Sequence, residues 1–185
     1  GYGAAGIGGR ATVPDHENTI ISYKTGTIEI QGGNIHAVGG GCWFRGSKVH
    51  LGGAGIGTGM YGIGGTIRIL GGTVKAEGGR DTGAGIGGGE SGAVDSIQIG
   101  EKNGEAPEVE AISYNVKYGA AIGSGRNAQF DLKLSCGTIN IFSGNLKVKG
   151  NIGYGGCDKI GNNRQEGGSV DISEQVKLKL TDGTI

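Results

Sequence analysis

A five-residue glycine wall recurs along this chain, and the recurrence leaves few folds open to it. The copies read Gly53-Ala54-Gly55-Ile56-Gly57, Gly83-Ala84-Gly85-Ile86-Gly87 and Gly119-Ala120-Ala121-Ile122-Gly123, with an early one ending at Ile7-Gly8. Each of the first two follows a pair of short alternating segments. These are Gly26-Thr27-Ile28-Glu29-Ile30 with Ile35-His36-Ala37, and Gly65-Thr66-Ile67-Arg68-Ile69 with Val74-Lys75-Ala76. Such a repeat marks a solenoid, whose units bury their apolar faces only by stacking on one another.

The alternation continues through the chain. First-strand triplets are Ile28-Glu29-Ile30, Ile67-Arg68-Ile69, Ile97-Gln98-Ile99, Ile139-Asn140-Ile141 and Val170-Asp171-Ile172. Second-strand triplets are Ile35-His36-Ala37, Val74-Lys75-Ala76, Val109-Glu110-Ala111, Leu146-Lys147-Val148 and Val176-Lys177-Leu178. Every one reads apolar, polar, apolar, the pattern of a strand with one buried face, and no stretch carries a 3.6-residue period. The sequence predicts an all-β parallel β-helix over residues 1–185, a β-solenoid of about five three-sided coils of roughly 30 residues or more. Its inward columns are then Ile28, Ile67, Ile97, Ile139 and Val170 on the first face, and Ile35, Val74, Val109, Leu146 and Val176 on the second. The third holds Ile56, Ile86, Ile122 and either Ile152 or Ile160.

Composition fits this frame. The 45 glycines among 185 residues do not fall at every third position, which excludes collagen, and the Ile and Val pairs between them supply a core that a disordered chain lacks. Lys plus Arg and Asp plus Glu both number 17, so the zero net charge supplies no long-range field for nucleic acid or an anionic membrane. No run of 18 apolar residues spans a bilayer. Cys42, Cys136 and Cys157 have no metal-binding or redox spacing and leave the compartment open. Gly3 to Gly9 looks like a third-face segment without its first two strands, and Asp182-Gly183-Thr184-Ile185 like the start of another first strand. The expectation is a single solenoid domain, a segment of a longer surface protein whose neighbouring domains cover its ends.

Interruptions of the repeat are where individuality should lie. The largest, Val38 to Leu51, carries Cys42, Trp43, Phe44, Arg45 and His50. Trp43, Phe44 and Arg45 would supply stacking and charge to a ligand, with His50 and Tyr61 as neighbours; the same Trp would also suit packing onto the solenoid wall. Gly100 to Pro107 reads as an acidic solvated loop. Arg126 to Ser135 holds an alternating Phe130-Asp131-Leu132-Lys133-Leu134 with the pattern of an extra strand, and Asn18 to Lys24 is its counterpart. Cys42 and Cys157 sit three coils apart, roughly 14 Å, too far for a disulfide unless their loops fold together.

Little chemistry accompanies this scaffold. Outward columns read Glu29, Arg68, Gln98, Asn140, Asp171 on the first face and His36, Lys75, Glu110, Lys147, Lys177 on the second. They lack the adjacent acids with which parallel β-helix polysaccharide lyases hold calcium. Asp81, Glu90 and Asp95 fall in the corners of one coil and could form the carboxylate pair of a glycosidase, though solvated corner charges are the simpler reading. The glycine segments lack the Gly-Lys-Ser/Thr ending of a phosphate loop. His16, His36 and His50 are too scattered for zinc. The column Thr27, Thr66, Ser96, Thr138, Ser169 is too narrow for an ice-binding face. No catalytic residue, cofactor or metal ligand is expected.

Gly64 to Ala76 with Gly83 to Gly89, and less strictly Gly26 to Ala37 with Gly53 to Gly59, resemble glycine-rich β-helix repeats of large bacterial cell-surface proteins, some of them carbohydrate-binding domains. The resemblance implies an extracellular, cell-surface or secreted setting. It implies an adhesin, stalk or glycan-binding module whose partner is a polysaccharide or host glycoprotein, and it carries no catalytic residues. The alternative is a carbohydrate-active enzyme, a glycosidase or polysaccharide lyase, using Asp81, Glu90 and Asp95.

Overall fold

Each alternating triplet becomes a strand, because extended backbone sends its apolar residues to one side and its polar residue to the other. The computed structural model describes residues 3–12, 22–42, 51–128, 133–157 and 164–185, and among them there is no helix. Three five-stranded sheets, every pairing in them parallel, form a β-helix or solenoid-like all-β architecture. The first sheet contains Thr27–Ile30, Thr66–Ile69, Ser96–Ile99, Thr138–Ile141 and Ser169–Ile172. The second contains Asn34–Val38, Thr73–Glu77, Glu108–Ile112, Asn145–Lys149 and Lys177–Thr181. The third contains Ile7–Gly8, Ile56–Gly57, Ile86–Gly87, Ile122–Gly123 and Ile152–Gly153. The chain visits third, first and second sheet in rotation.

Register aligns like with like. Ile28, Ile67, Ile97, Ile139 and Val170 pair in sequence across the first sheet. Ile67, Ile97 and Ile139 are fully buried, whereas Ile28 and Val170, on the outermost strands, are only partly covered. Ile152 completes the third-sheet column by pairing with Ile122; Ile160 lies outside the described residues.

The second sheet corrects one expected position. Leu146 pairs with Leu178 rather than Val176, and Val148 with Leu180. Val176 belongs to the preceding turn, where its N–H donates to the Ser173 carbonyl at 3.1 Å. A two-residue shift keeps the same face, so a three-residue alternation does not distinguish the registers. The longer pattern Lys177-Leu178-Lys179-Leu180 does, because it supplies both inward residues that Leu146 and Val148 require. The outward column therefore ends in Lys179, not Lys177.

The third sheet has the tightest constraint. Gly57, Gly87, Gly123 and Gly153 stack with φ of 136°, 133°, 135° and 117°, a region that L side chains rarely adopt. A Cβ at Gly87 would stand 1.9 Å from the Gly123 carbonyl oxygen. Bare backbone lets successive strands exchange hydrogen bonds such as Ile56 N to Gly85 O and Thr58 N to Gly87 O, at 3.0 and 2.9 Å.

Two smaller pairings decorate this frame. Lys133–Leu134 pairs in parallel with Arg164–Gln165, which gives the interruption at 126–135 a strand; the rest of the expected stretch, residues 130–132, lies outside the described residues. Its expected counterpart is reduced, among the described residues, to a single bridge between Lys24 and Ile63. Cys42, Cys136 and Cys157 each keep the thiol form.

Replacing Gly87 by Ala should destabilise the fold by about 3 kcal/mol through backbone strain and the carbonyl clash. Gly32→Ala, at a site where a Cβ meets nothing within 4 Å, should leave the urea midpoint nearly unchanged. Equal midpoints for the two variants would remove the third-sheet constraint.

Candidate binding site at the first interruption

The interruption between second and third sheet leaves the wall as a hairpin. Gly41–Cys42 pairs antiparallel with Leu51–Gly52, and every other strand pairing among the described residues is parallel. The stem sits close on the wall. A Cβ at Gly52 would meet the Gly79 carbonyl, so only glycine fits there, and one at Gly41 would require the Arg80 side chain to move. Gly52 N also donates to Thr82 Oγ1 at 2.8 Å. The stem carries residues 43–50; Trp43, Phe44, Arg45 and His50 lie outside the described residues.

Tyr61 is described, and it stands near the foot of this stem. Burial raises its phenol above the ordinary range, with Glu90 and Cys42 adding to the shift and Arg126 opposing it. The Cys42 thiol is raised by burial first and by Glu90 second. Glu90 is 1% exposed. Its Oε1 lies 3.6 Å from Arg126 Nη1, and the Arg126 guanidinium stacks over the Tyr118 ring at 4.8 Å. Tyr61 N donates to the Glu90 carbonyl at 2.8 Å, joining neighbouring passes of the chain.

Backbone strain concentrates in the same region. Of the four non-glycine residues with positive φ among those described, Tyr61, Arg80 and Ser91 flank the glycine wall here, at 58°, 46° and 49°. Such conformations cost on the order of 1–3 kcal/mol each and persist where their surroundings hold them. The hairpin foot is therefore a rigid platform.

The three corner acids are engaged by the wall. Glu90 is held by Arg126, and Asp95 Oδ2 accepts from Gly65 N at 3.0 Å. Asp81 also has an interaction partner. Among the described residues no three His, Cys, Asp or Glu side chains gather into a metal-holding group, and no helix is long and apolar enough to cross a membrane.

Two constellations escaped the sequence reading. Lys102, in the interruption assigned to solvent, lies over the Phe142 ring at 5.7 Å. Together they border a cleft of about 490 Å³ with Asn103, Asp171, Ser173 and Gln175. The available signal was Phe142 itself, an aromatic directly after a first-strand triplet where other repeats have Gln31, Leu70, Gly100 or Ser173.

The second constellation is a carboxylate clamp. Glu77 accepts from His36 Nε2 at 2.6 Å, Lys75 Nζ at 2.9 Å and Tyr114 Oη at 2.8 Å. These donors draw its pKa down to about 2, with Lys75 contributing most, then Tyr114, while burial opposes them. Glu77 in turn raises the Tyr114 phenol. It thereby ties three neighbouring strands of the second sheet, those holding His36, Lys75 with Glu77 itself, and the Tyr114 corner.

No family model, curated protein or solved structure matches the chain.

Because the folded pKa of Glu77 lies below its unfolded value near 4.5, the clamp stabilises fully above that pH and is lost as pH falls toward 2. Glu77→Gln should lower stability by on the order of 1–2 kcal/mol at pH 7, after allowance for solvent screening. Its melting temperature should approach wild type between pH 4.5 and 2. Parallel melting curves across that window would dismiss the clamp.

Proposed function

We propose that this chain is a β-solenoid of about five three-sided coils, working outside the cell as a non-catalytic adhesin, stalk or glycan-binding module. The observation that carries the reading is the antiparallel stem at Gly41–Cys42 and Leu51–Gly52, which departs from an otherwise parallel scaffold. That stem is joined in sequence to the segment that holds Trp43, Phe44, Arg45 and His50, and Tyr61 stands near its foot. An aromatic with adjacent cation and polar groups suits a sugar ring, whose apolar face stacks on the aromatic while its hydroxyls hydrogen-bond. The Phe142 cleft, with Lys102, Asn103 and Gln175 around an aromatic, adds a second surface of similar chemistry. The partner is a polysaccharide or host glycoprotein.

The hydrolytic alternative draws less support. A glycosidase needs two carboxylates facing one sugar across about 5–10 Å. Glu90 is buried against Arg126, and Asp95 caps the Gly65 corner.

Trp43→Ala should reduce binding on a glycan array by at least about tenfold, the effect of removing an aromatic hot spot, without product formation by the parent. No binding by the parent, or binding that the substitution leaves unchanged, would end the loop assignment. Release of reducing ends from a polysaccharide would favour the enzyme.

A further inference from the structure

Zero net charge conceals a sharp separation of charge on the outer surface of the second sheet. Its middle strands present Lys75, Glu77, Glu108 and Glu110. The last two present Lys147, Lys149, Lys177 and Lys179, all exposed. Lys147 and Lys179 face each other in register, about 4.8 Å apart along the backbone ladder. Lys149 and Lys177 flank that pair on opposite sides.

Like charges directly opposite destabilise a sheet, and elsewhere this protein neutralises them. In the small parallel pair, Lys133 and Arg164 also stack in register, and Glu166 bridges both at 3.1 and 2.7 Å. Lys75 is held by Glu77 at 2.9 Å. Among the described residues, none of the four lysines has such a partner. Glu108, in the adjacent column, accepts from the Asn145 amide. Four lysines without an ion-pair partner among the described residues, with Glu110 in register on the inner side of Lys147, make the last two strands a cationic surface.

The surface is also grooved. A channel of about 450 Å³ runs on one side of the Lys147 and Lys179 column, bordered by Asn145 and Lys177. A second, of about 230 Å³, runs on the other side, bordered by Ile112, Lys149 and Thr181. Over the last two strands an extended chain in either meets Lys147 and then Lys179. Glu110, which lines both channels in register with Lys147, marks the inner end of the cationic stretch.

The residue types narrow the occupant. All four cations are lysines, compact point charges that bind tetrahedral oxyanions without the fixed geometry of the arginine fork. No aromatic lines either channel, so the stacking platform used by single-stranded nucleic acid is missing there. We infer that this face docks a linear sulfated polysaccharide laid along the stacking direction of the strands. The surface is built without residues 43–50 and stands whether or not that segment binds a glycan.

The test is calorimetric titration with dextran sulfate, alongside uncharged dextran, polygalacturonate and oligo-dT. Dextran sulfate should bind, weakening roughly 10- to 50-fold between 50 and 200 mM salt as about four contacts are screened. Lys147→Gln with Lys179→Gln should weaken binding at least about tenfold at low salt while melting close to wild type, since losing the Lys147–Lys179 repulsion offsets losing the Glu110 neighbour. Lys24→Gln with Lys117→Gln removes equal charge from other surfaces and should change little, and Trp43→Ala should leave dextran sulfate binding intact. The inference is overturned by absence of binding, by equal loss in both lysine pairs, or by polygalacturonate or oligo-dT binding as tightly as dextran sulfate.

Discussion

The hydrogen bonding between bare backbone segments in the third sheet is the constraint on which the rest depends. Gly57, Gly87, Gly123 and Gly153 hold φ between 117° and 136°, and the first three approach the next strand too closely for any Cβ. Their columnar placement keeps the successive passes of chain in register, so Ile lies on Ile in the first and third sheets and mixed aliphatic residues align in the second. The apolar columns then bury themselves without large side chains in the wall. Glycine is expensive in ordering entropy, roughly 0.5–1 kcal/mol per residue relative to Ala, and the strand-to-strand ladders offset it only when they run through several strands.

Such a scaffold leaves function to its interruptions and outer columns. At the first interruption, close contact between Gly52 and Gly79 seats an antiparallel stem on the wall, and Glu90, Arg126 and Tyr118 stiffen the corner below. On the second sheet, Glu77 gathers three donors at one end while, among the described residues, four lysines form no ion pair at the other. The contrast separates a cluster that holds the sheet together from one that faces outward.

Much of the fold was legible in the sequence because period-2 alternation and the glycine wall are local signals with one structural solution. The inward columns of the first and third sheets follow directly from them. Val176 misled because shifting a strand by two residues preserves its face, and only the pairing of Leu178 and Leu180 with Leu146 and Val148 settles the register. The candidate site was less legible. Tyr61 was identified through its neighbourhood in the chain, but its link to Glu90 and Cys42 depends on which corners stack. The stacking of Lys102 on Phe142 joins residues forty apart, and the lysine face was hidden by a charge balance taken over the whole chain.

The most direct test of the stacked architecture is a distance across the first sheet. Glu29 and Asp171 occupy the same outward column on its two outermost strands, four pairings apart. At about 4.8 Å per step their backbones should stand roughly 19 Å apart. Spin labels at positions 29 and 171, in a background lacking the three native cysteines, should give one narrow distance near 20–25 Å by pulsed electron resonance, allowing for label length beyond the backbone spacing. A broad distribution, or a distance beyond about 35 Å on that same spacing, would contradict in-register stacking and the surfaces derived from it.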